Sequence, residues 1–301
     1  MLRRRTLALT ALFLVLALVM AACGGGDDAG EDTTSPAAGD TEATGLLKTV
    51  MDRGTIRVST DPAYPPQSEL NPKTGEYEGF DIDVANEIAK RMGVEVEWVT
   101  PSWDLITAGG WNDRWDISVG SMTVTPERAE VLWFTPAYYY TPAAVAVHAD
   151  NTTVADISTD LDGKKVGVCA ACTYDFYLQG TLDIPGETID FVIDDPAIKT
   201  YDTDSTAIQD LTLGDGDRLD AVISAMPTLQ TAIEKGKPIK IAGDPVFYEP
   251  LAVALDKKAT DDPAPLLEKV SAIVEEMHTD GTLAELSNKW YGQDLATKVE
   301  S

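Results

Sequence analysis

The sequence predicts an α/β protein built as two lobes. Three observations lead there. Short β-branched runs alternate with segments of helical spacing, the pattern of parallel sheets joined by crossover helices. Of the 301 residues, 44% are hydrophobic, ample for packed cores. About 256 residues follow a polar N-terminal stretch, a length that suits two lobes.

In chain order, Arg3, Arg4 and Arg5 precede an apolar run from Leu7 to Met20, and Ala21-Ala22 then lead into Cys23. This pattern is that of an export signal over residues 1–22, too short and one-sided for a stable span. A small-residue cleavage site followed directly by Cys resembles the bacterial lipoprotein box, which implies that Cys23 is lipidated and becomes the new N-terminus. A plain secretory signal with an accidental cysteine is the alternative. From Gly24 to Gly45 the chain reads GGGDDAGEDTTSPAAGDTEATG, with no aromatic and no aliphatic residue larger than Ala. Such a segment cannot bury enough surface to offset its ordering entropy, so residues 23–45 are expected to form a flexible tether.

The folded part begins near Leu46. TIRVSTD (55–61) and VEVEWVT (94–100) have strand patterns. Between them GFDIDVANEIAKRMG places Ile82, Ala85, Ala89 and Met92 on one helical stripe with Ile88 beside it, Asp81 as N-cap and Gly93 just past the C-terminus. DISVGS (116–121), KKVGVC (164–169), IDFVI (189–193) and LDAVIS (219–224) are further strands, separated by segments long enough for helices.

Composition narrows the partners. Acids outnumber bases 50 to 23. Loss of the signal removes three bases and no acids, and an excess so large argues against nucleic acid or anionic lipid. It says nothing about a small ligand, because a local site can oppose the global field. Cys169-Ala-Ala-Cys172 lies outside the membrane, where disulfides persist. It is either a redox pair or a small structural disulfide, and the surroundings are not those of a thioredoxin unit. His148 and His278 are not at ligand spacing with the cysteines, so no metal is expected. Asp215-Gly216-Asp217 reads as a turn rather than a calcium loop, since Leu219 stands at the third ligand position. No cofactor motif is present.

Six segments then share one pattern. They are TDPAYPP (60–66), GFDIDVANEIAKRM (79–92), WDISVGSMTVTPERAEVLWFTPAYY (115–139), DGKKVGV (162–168), GDRLDAVIS (216–224) and DGTLAELSNKWYG (280–292). In this order they resemble the extracellular solute-binding proteins of family 3, the receptors of polar amino acid ABC importers. The resemblance implies a bilobed, type II periplasmic-binding-protein-like fold, with two open, mostly parallel sheets joined by two hinge strands near Ala143 to Val147 and Glu249 to Ala254. Lobe 1 would hold residues 46–145 plus 252–301, and lobe 2 residues 146–251. A small solute would bind in the cleft, at the carboxyl ends of the strands.

The resemblance also implies roles. Arg128 matches the family's carboxylate clamp; a planar, always-charged guanidinium gives a carboxylate two parallel bonds. A surface arginine paired with Glu127 or Glu130 is the alternative. Ser121 matches a position whose carbonyl accepts from the ligand ammonium, and Thr123 one that supplies a backbone N–H and a hydroxyl. Cys172 and Thr173, at a helix start, would hold the same carboxylate from the other lobe, and a disulfide would stiffen that turn. Asp61 and Tyr64 match side-chain-pocket positions, with a turn-forming Asp and a packed ring as alternatives. Trp103 is the candidate to close the pocket. One departure stands out: Ala225 occupies a position where the family usually carries the acid that accepts the ligand's α-ammonium. Glu249 is the expected substitute, unless the solute is betaine-like or lacks an amine.

The expected function is that of an extracytoplasmic receptor, anchored by lipid alone on the outer face of the cytoplasmic membrane, monomeric, and serving an ABC permease. A sensor, or a dehydratase-type enzyme using Glu249 or Asp61 as its acid, are the alternatives.

Overall fold

The computed structural model describes residues 43–298. The expected signal segment and Cys23 lie outside the described residues, as does most of the expected tether. The chain opens with α1 (Gly45–Arg53), which buries Leu46 and Val50 and ends on Gly54, whose φ of 69° lets its N–H return to the carbonyls of Val50 and Met51. There follow β1 (Thr55–Ser59), a three-stranded flap of β2 (Ala63–Tyr64), β3 (Ser68–Leu70) and β4 (Tyr77–Glu78), α2 (Phe80–Met92), β5 (Glu95–Val99), α3 (Trp103–Thr107), β6 (Ile117–Thr123) and α4 (Pro126–Val131). The long β7 (Leu132–His148) leads into β8 (Lys165–Cys169), α5 (Thr173–Leu178), β9 (Ala197–Tyr201), α6 (Asp204–Leu211), β10 (Ala221–Ala225) and α7 (Met226–Glu234). The equally long β11 (Ile239–Asp256) returns to α8 (Ala264–Thr279) and α9 (Thr282–Tyr291).

One sheet of eight strands runs in the order β5-β1-β6-β11-β7-β10-β8-β9. At one end β5, β1 and β6 are parallel, and at the other β10, β8 and β9 are parallel. Antiparallel β7 and β11 join them. The two expected parallel sheets are therefore the ends of a continuous mixed sheet, because the two crossing strands pair along most of their length.

The core is divided in the same way. Phe80, Ile88, Tyr138, Tyr139, Val253 and Val270 belong to one buried cluster. Ala143, Val145, Val168, Tyr177 and Phe247 belong to another. Along β7 the side chains thus pass from one core to the other between Tyr139 and Ala143, and along β11 between Phe247 and Leu251.

Two local expectations are corrected. Asp81 is not the N-cap of α2: Gly79 holds that position, and the N–H groups of Phe80 and Asp81 donate to the carbonyls of Pro66 and Gln67. A side-chain cap is not needed there, and only glycine fits, since a Cβ on Gly79 would meet the Gln67 carbonyl oxygen at 2.2 Å. Residues 189–193 form no strand; the ladder with β8 is taken by β9. The earlier segment satisfies its backbone through the Tyr177 hydroxyl, which donates to the Asp190 carbonyl and accepts from the Val192 N–H, both at 3.1 Å. Gly93 ends α2 at φ 74°, as its spacing predicts.

Candidate functional site

The stretch SMTVTPER folds as a strand end followed by a short helix. Thr125 caps α4 by accepting from the Arg128 N–H, and Pro126 takes the first turn, where a missing N–H costs nothing. This places Arg128 on the inner side, 4% exposed. Its Nη1 donates to the Thr123 carbonyl at 2.9 Å and its Nη2 to the Ala171 carbonyl at 3.2 Å. The Trp103 ring lies 5.1 Å from its guanidinium carbon. Burial pulls its pKa down to about 10, so it remains charged at neutral pH. Among the described residues it forms no ion pair, with Glu127 and Glu130 included. The surface alternative is thereby set aside.

A cleft opens beside this guanidinium. Its lining includes Asp61, Tyr64, Trp103, Ser121, Thr123 and Arg128 from one half. Cys172 and Thr173 come from the other half, with Glu249 from the crossing strand β11. All nine residues singled out in the sequence meet here.

Each is held for a reason. Ser121 has φ 53°, a costly conformation for a residue with a Cβ. Its N–H donates to Tyr138 Oη at 3.0 Å, its Oγ donates to Asp81 at 2.8 Å, and Tyr139 Oη stands 2.6 Å away. Asp81, fully buried, also accepts from Tyr138 Oη at 2.7 Å, and burial lifts its pKa to about 7. The Oε2 of Glu249 accepts from Thr123 Oγ1 at 2.6 Å and from Thr173 Oγ1 at 2.7 Å, so one carboxylate oxygen ties together side chains from both halves. Burial pushes the Glu249 pKa up, against the pull of these hydroxyls and of Arg128. Asp61 accepts from the Ala63 N–H at 2.7 Å, the turn its position suggested, and burial raises its pKa as well. Tyr64 Oη lies 3.3 Å from Tyr174 Oη across the cleft.

The facing wall is the turn between β8 and α5. Cys169 and Cys172 form a disulfide with Cα atoms 5.6 Å apart. Cys172 is the N-cap of α5, and Ala171 inside the turn has φ 55°. The Ala171 carbonyl accepts from both Trp103 Nε1 and Arg128 Nη2, at 3.2 Å each. Trp111 and Trp115 instead belong to a core cluster, with Trp103 packed at its edge.

The cleft also holds residues that sequence reasoning missed: Tyr174, Asp202, Thr203 and Asp204. Asp204 is 8% exposed and its Oδ1 has no hydrogen-bond partner. Burial raises its pKa to about 7, against a pull from the Ser224 hydroxyl, and the like charges of Asp61 and Glu249 add to the rise. Ala225 ends β10 fully buried and does not line the cleft. Among the described residues no helix is long and apolar enough to cross a membrane.

Comparison with known proteins agrees with this geometry. Residues 56–293 match the bacterial extracellular solute-binding proteins, family 3. The L-cystine-binding protein TcyJ of Escherichia coli (strain K12) is 31% identical over 252 residues, covering 83% of this chain and 88% of that protein. Among solved structures, the ancestral amino acid-binding protein AncCDT-1, a precursor of cyclohexadienyl dehydratase, superposes with a TM-score of 0.70 at 30% identity, covering 82% of this chain and 99% of that one. An ancestral arginine-binding protein bound to arginine gives a TM-score of 0.68 at 31% identity, covering 80% and 99%.

Proposed function

Because the chain belongs to the bacterial extracellular solute-binding proteins of family 3, we propose that it captures a zwitterionic amino acid in the cleft and presents it to an ABC permease. The observation that carries this reading is Arg128: a buried guanidinium bonded to two backbone carbonyls, with no carboxylate among the described residues in ion-pair contact. A buried cation left in that condition is costly unless something anionic joins it. A ligand carboxylate fits, since the free edges of the fork offer parallel donors. Thr123, Cys172 and Thr173 surround that carboxylate, Tyr64 and Trp103 cover the ligand, and the Ser121 carbonyl with the acids Asp61, Asp204 and Glu249 faces its nitrogen.

The lobes are residues 46–145 plus 252–301 and residues 146–251, with β7 and β11 as hinge strands, a division supported by the separate buried clusters reached by the two ends of those strands. Binding draws the lobes together. The disulfide serves as a structural staple. The protein acts as a monomeric receptor tethered through lipid on Cys23, and not as an enzyme: both the family and the cystine-binding relative are named for binding.

The test is thermal stabilisation of residues 46–301 by L-cystine, L-arginine and other α-amino acids, against glycine betaine and amine-free carboxylates. At a ligand concentration of roughly 100 Kd the folded state gains about 2.7 kcal/mol. Stabilisation by an α-amino acid supports the reading, provided NMR recovers the ligand unchanged. Stabilisation by amine-free or betaine compounds alone overturns it, and so does conversion of the ligand to product.

A further inference from the structure

The carboxylates lining the cleft differ in what they already hold. Glu249 accepts two hydroxyls on one oxygen. Asp61 accepts the Ala63 N–H. Asp202 is exposed. Asp204 is buried, yet its Oδ1 accepts nothing. The cap of α6 is a different side chain: Thr203 accepts from the Thr206 N–H at 3.2 Å, so Asp204 Oδ1 is not spent on that bond.

The charges around Asp204 make its place unfavourable in the protein alone. Asp61 and Glu249 face it with the same sign, the Tyr64 and Tyr174 hydroxyls stand nearby, and Ser224 on β10 is its polar neighbour. Among the described residues no lysine, arginine or histidine pairs with it. The cation of the cleft, Arg128, is bound to carbonyls and sits closer in charge terms to Glu249, the first charged group acting on it. A buried acid without a cation is a standing cost, and it becomes an asset only when a cation arrives.

We propose that Asp204 accepts a charged nitrogen of the ligand whose carboxylate Arg128 holds, and so makes the cleft selective for solutes carrying an ammonium or guanidinium group. This rests on the amino acid receptor reading above. It also implies that the ionised form of Asp204 binds, so that ligand uptake is tied to proton release. With a pKa of about 7 for Asp204, affinity should rise about tenfold from pH 6 to pH 8.

Calorimetric titration of the wild-type chain, Asp204→Asn and Arg128→Ala with L-arginine and L-cystine tests this. The same chains are titrated with the counterparts in which hydroxyl replaces the α-ammonium, and with L-citrulline, whose urea replaces the guanidinium. Asp204→Asn should weaken the amino acid that wild type binds by at least about 30-fold, as loss of one partner from a buried charge pair does. The analogue lacking the nitrogen that Asp204 contacts should change less than about threefold, which tells α-ammonium from guanidinium. The pH dependence should flatten in the variant. Its unliganded melting temperature should not fall, since a neutral isostere removes a buried charge. Binding by Asp204→Asn within threefold of wild type, or equal loss for every analogue, would overturn the assignment while leaving the receptor reading intact. Absence of amino acid binding by the wild type itself would instead sink both.

Discussion

The Nη2 of Arg128 donates to the carbonyl of Ala171 at 3.2 Å, linking α4 on one side of the cleft to the disulfide-closed turn on the other. The guanidinium proposed to clamp the ligand therefore also links the two sides of the cleft. Arg128→Ala removes both. Binding should drop by at least about 100-fold in calorimetry, the scale of a lost buried charge-assisted pair. Arg128→Lys should lose at least about tenfold, because an ammonium cannot reach two acceptors in one plane. Full affinity in the alanine variant would refute the clamp.

The turn that supplies Ala171 is held by the Cys169–Cys172 disulfide. A loop this short contributes about 2 kcal/mol of stability by chain entropy. Cys169→Ser with Cys172→Ser should lower the melting temperature. It should weaken ligand binding less than about tenfold, through looser ordering of the Ala171 carbonyl. Loss of binding altogether, measured beside an intact circular dichroism spectrum, would mean that the sulfurs do more than staple.

Glu249 acts on Arg128 as a neighbouring negative charge and joins the Thr123 and Thr173 hydroxyls. Glu249→Gln keeps an acceptor oxygen for those hydroxyls and removes the charge. An amine-free carboxylate should then bind about fivefold more tightly, since the clamp no longer shares its field. A zwitterion should change less, the nitrogen contact lying at Asp204. A large loss for the zwitterion alone would return the nitrogen contact to Glu249.

Much of this site was legible in the sequence because local chemistry dictated it. The Thr125-Pro126 helix start fixes the turn on which Arg128 sits, and Cys169-Ala-Ala-Cys172 closes on itself. What was missed depends on contacts distant in sequence. Asp204 follows Thr203 as an ordinary first-turn acid would, and nothing nearby in the sequence shows that the cleft buries it; the available signal is Ala225, which calls for an acid elsewhere without saying which. Asp81 looked like a cap because the carbonyls of Pro66 and Gln67, which do the capping, come from the flap. Residues 189–193 have a strand's composition, but their backbone partner is a tyrosine hydroxyl. Pattern reports which groups need partners, and only packing decides which partner arrives.

Asp81 and Asp204 are both buried, and burial is the main reason that each has a pKa of about 7, against roughly 4 in an unfolded chain. Between those values the folded protein holds protons that the unfolded chain has released, so stability falls as pH rises across the window. The stabilisation is fully present below about pH 4 and is lost as pH passes 7, at most on the order of 4 kcal/mol for each group. Groups shifted the other way act elsewhere: Asp280, drawn to about 2 chiefly by its hydrogen bonds with Thr282, costs stability only below the window. The unliganded chain should therefore melt at a higher temperature at pH 5.5 than at pH 8. Asp204→Asn should remove part of that difference, and Asp81→Asn part of the remainder, less cleanly because Ser121 and Tyr138 donate to that carboxylate. Saturating amino acid should reverse the trend, since binding draws on the ionised form of Asp204. A melting temperature that rises from pH 5.5 to pH 8 without ligand would show that these carboxyls are ionised in the folded state throughout, and would remove the proton linkage from Asp204.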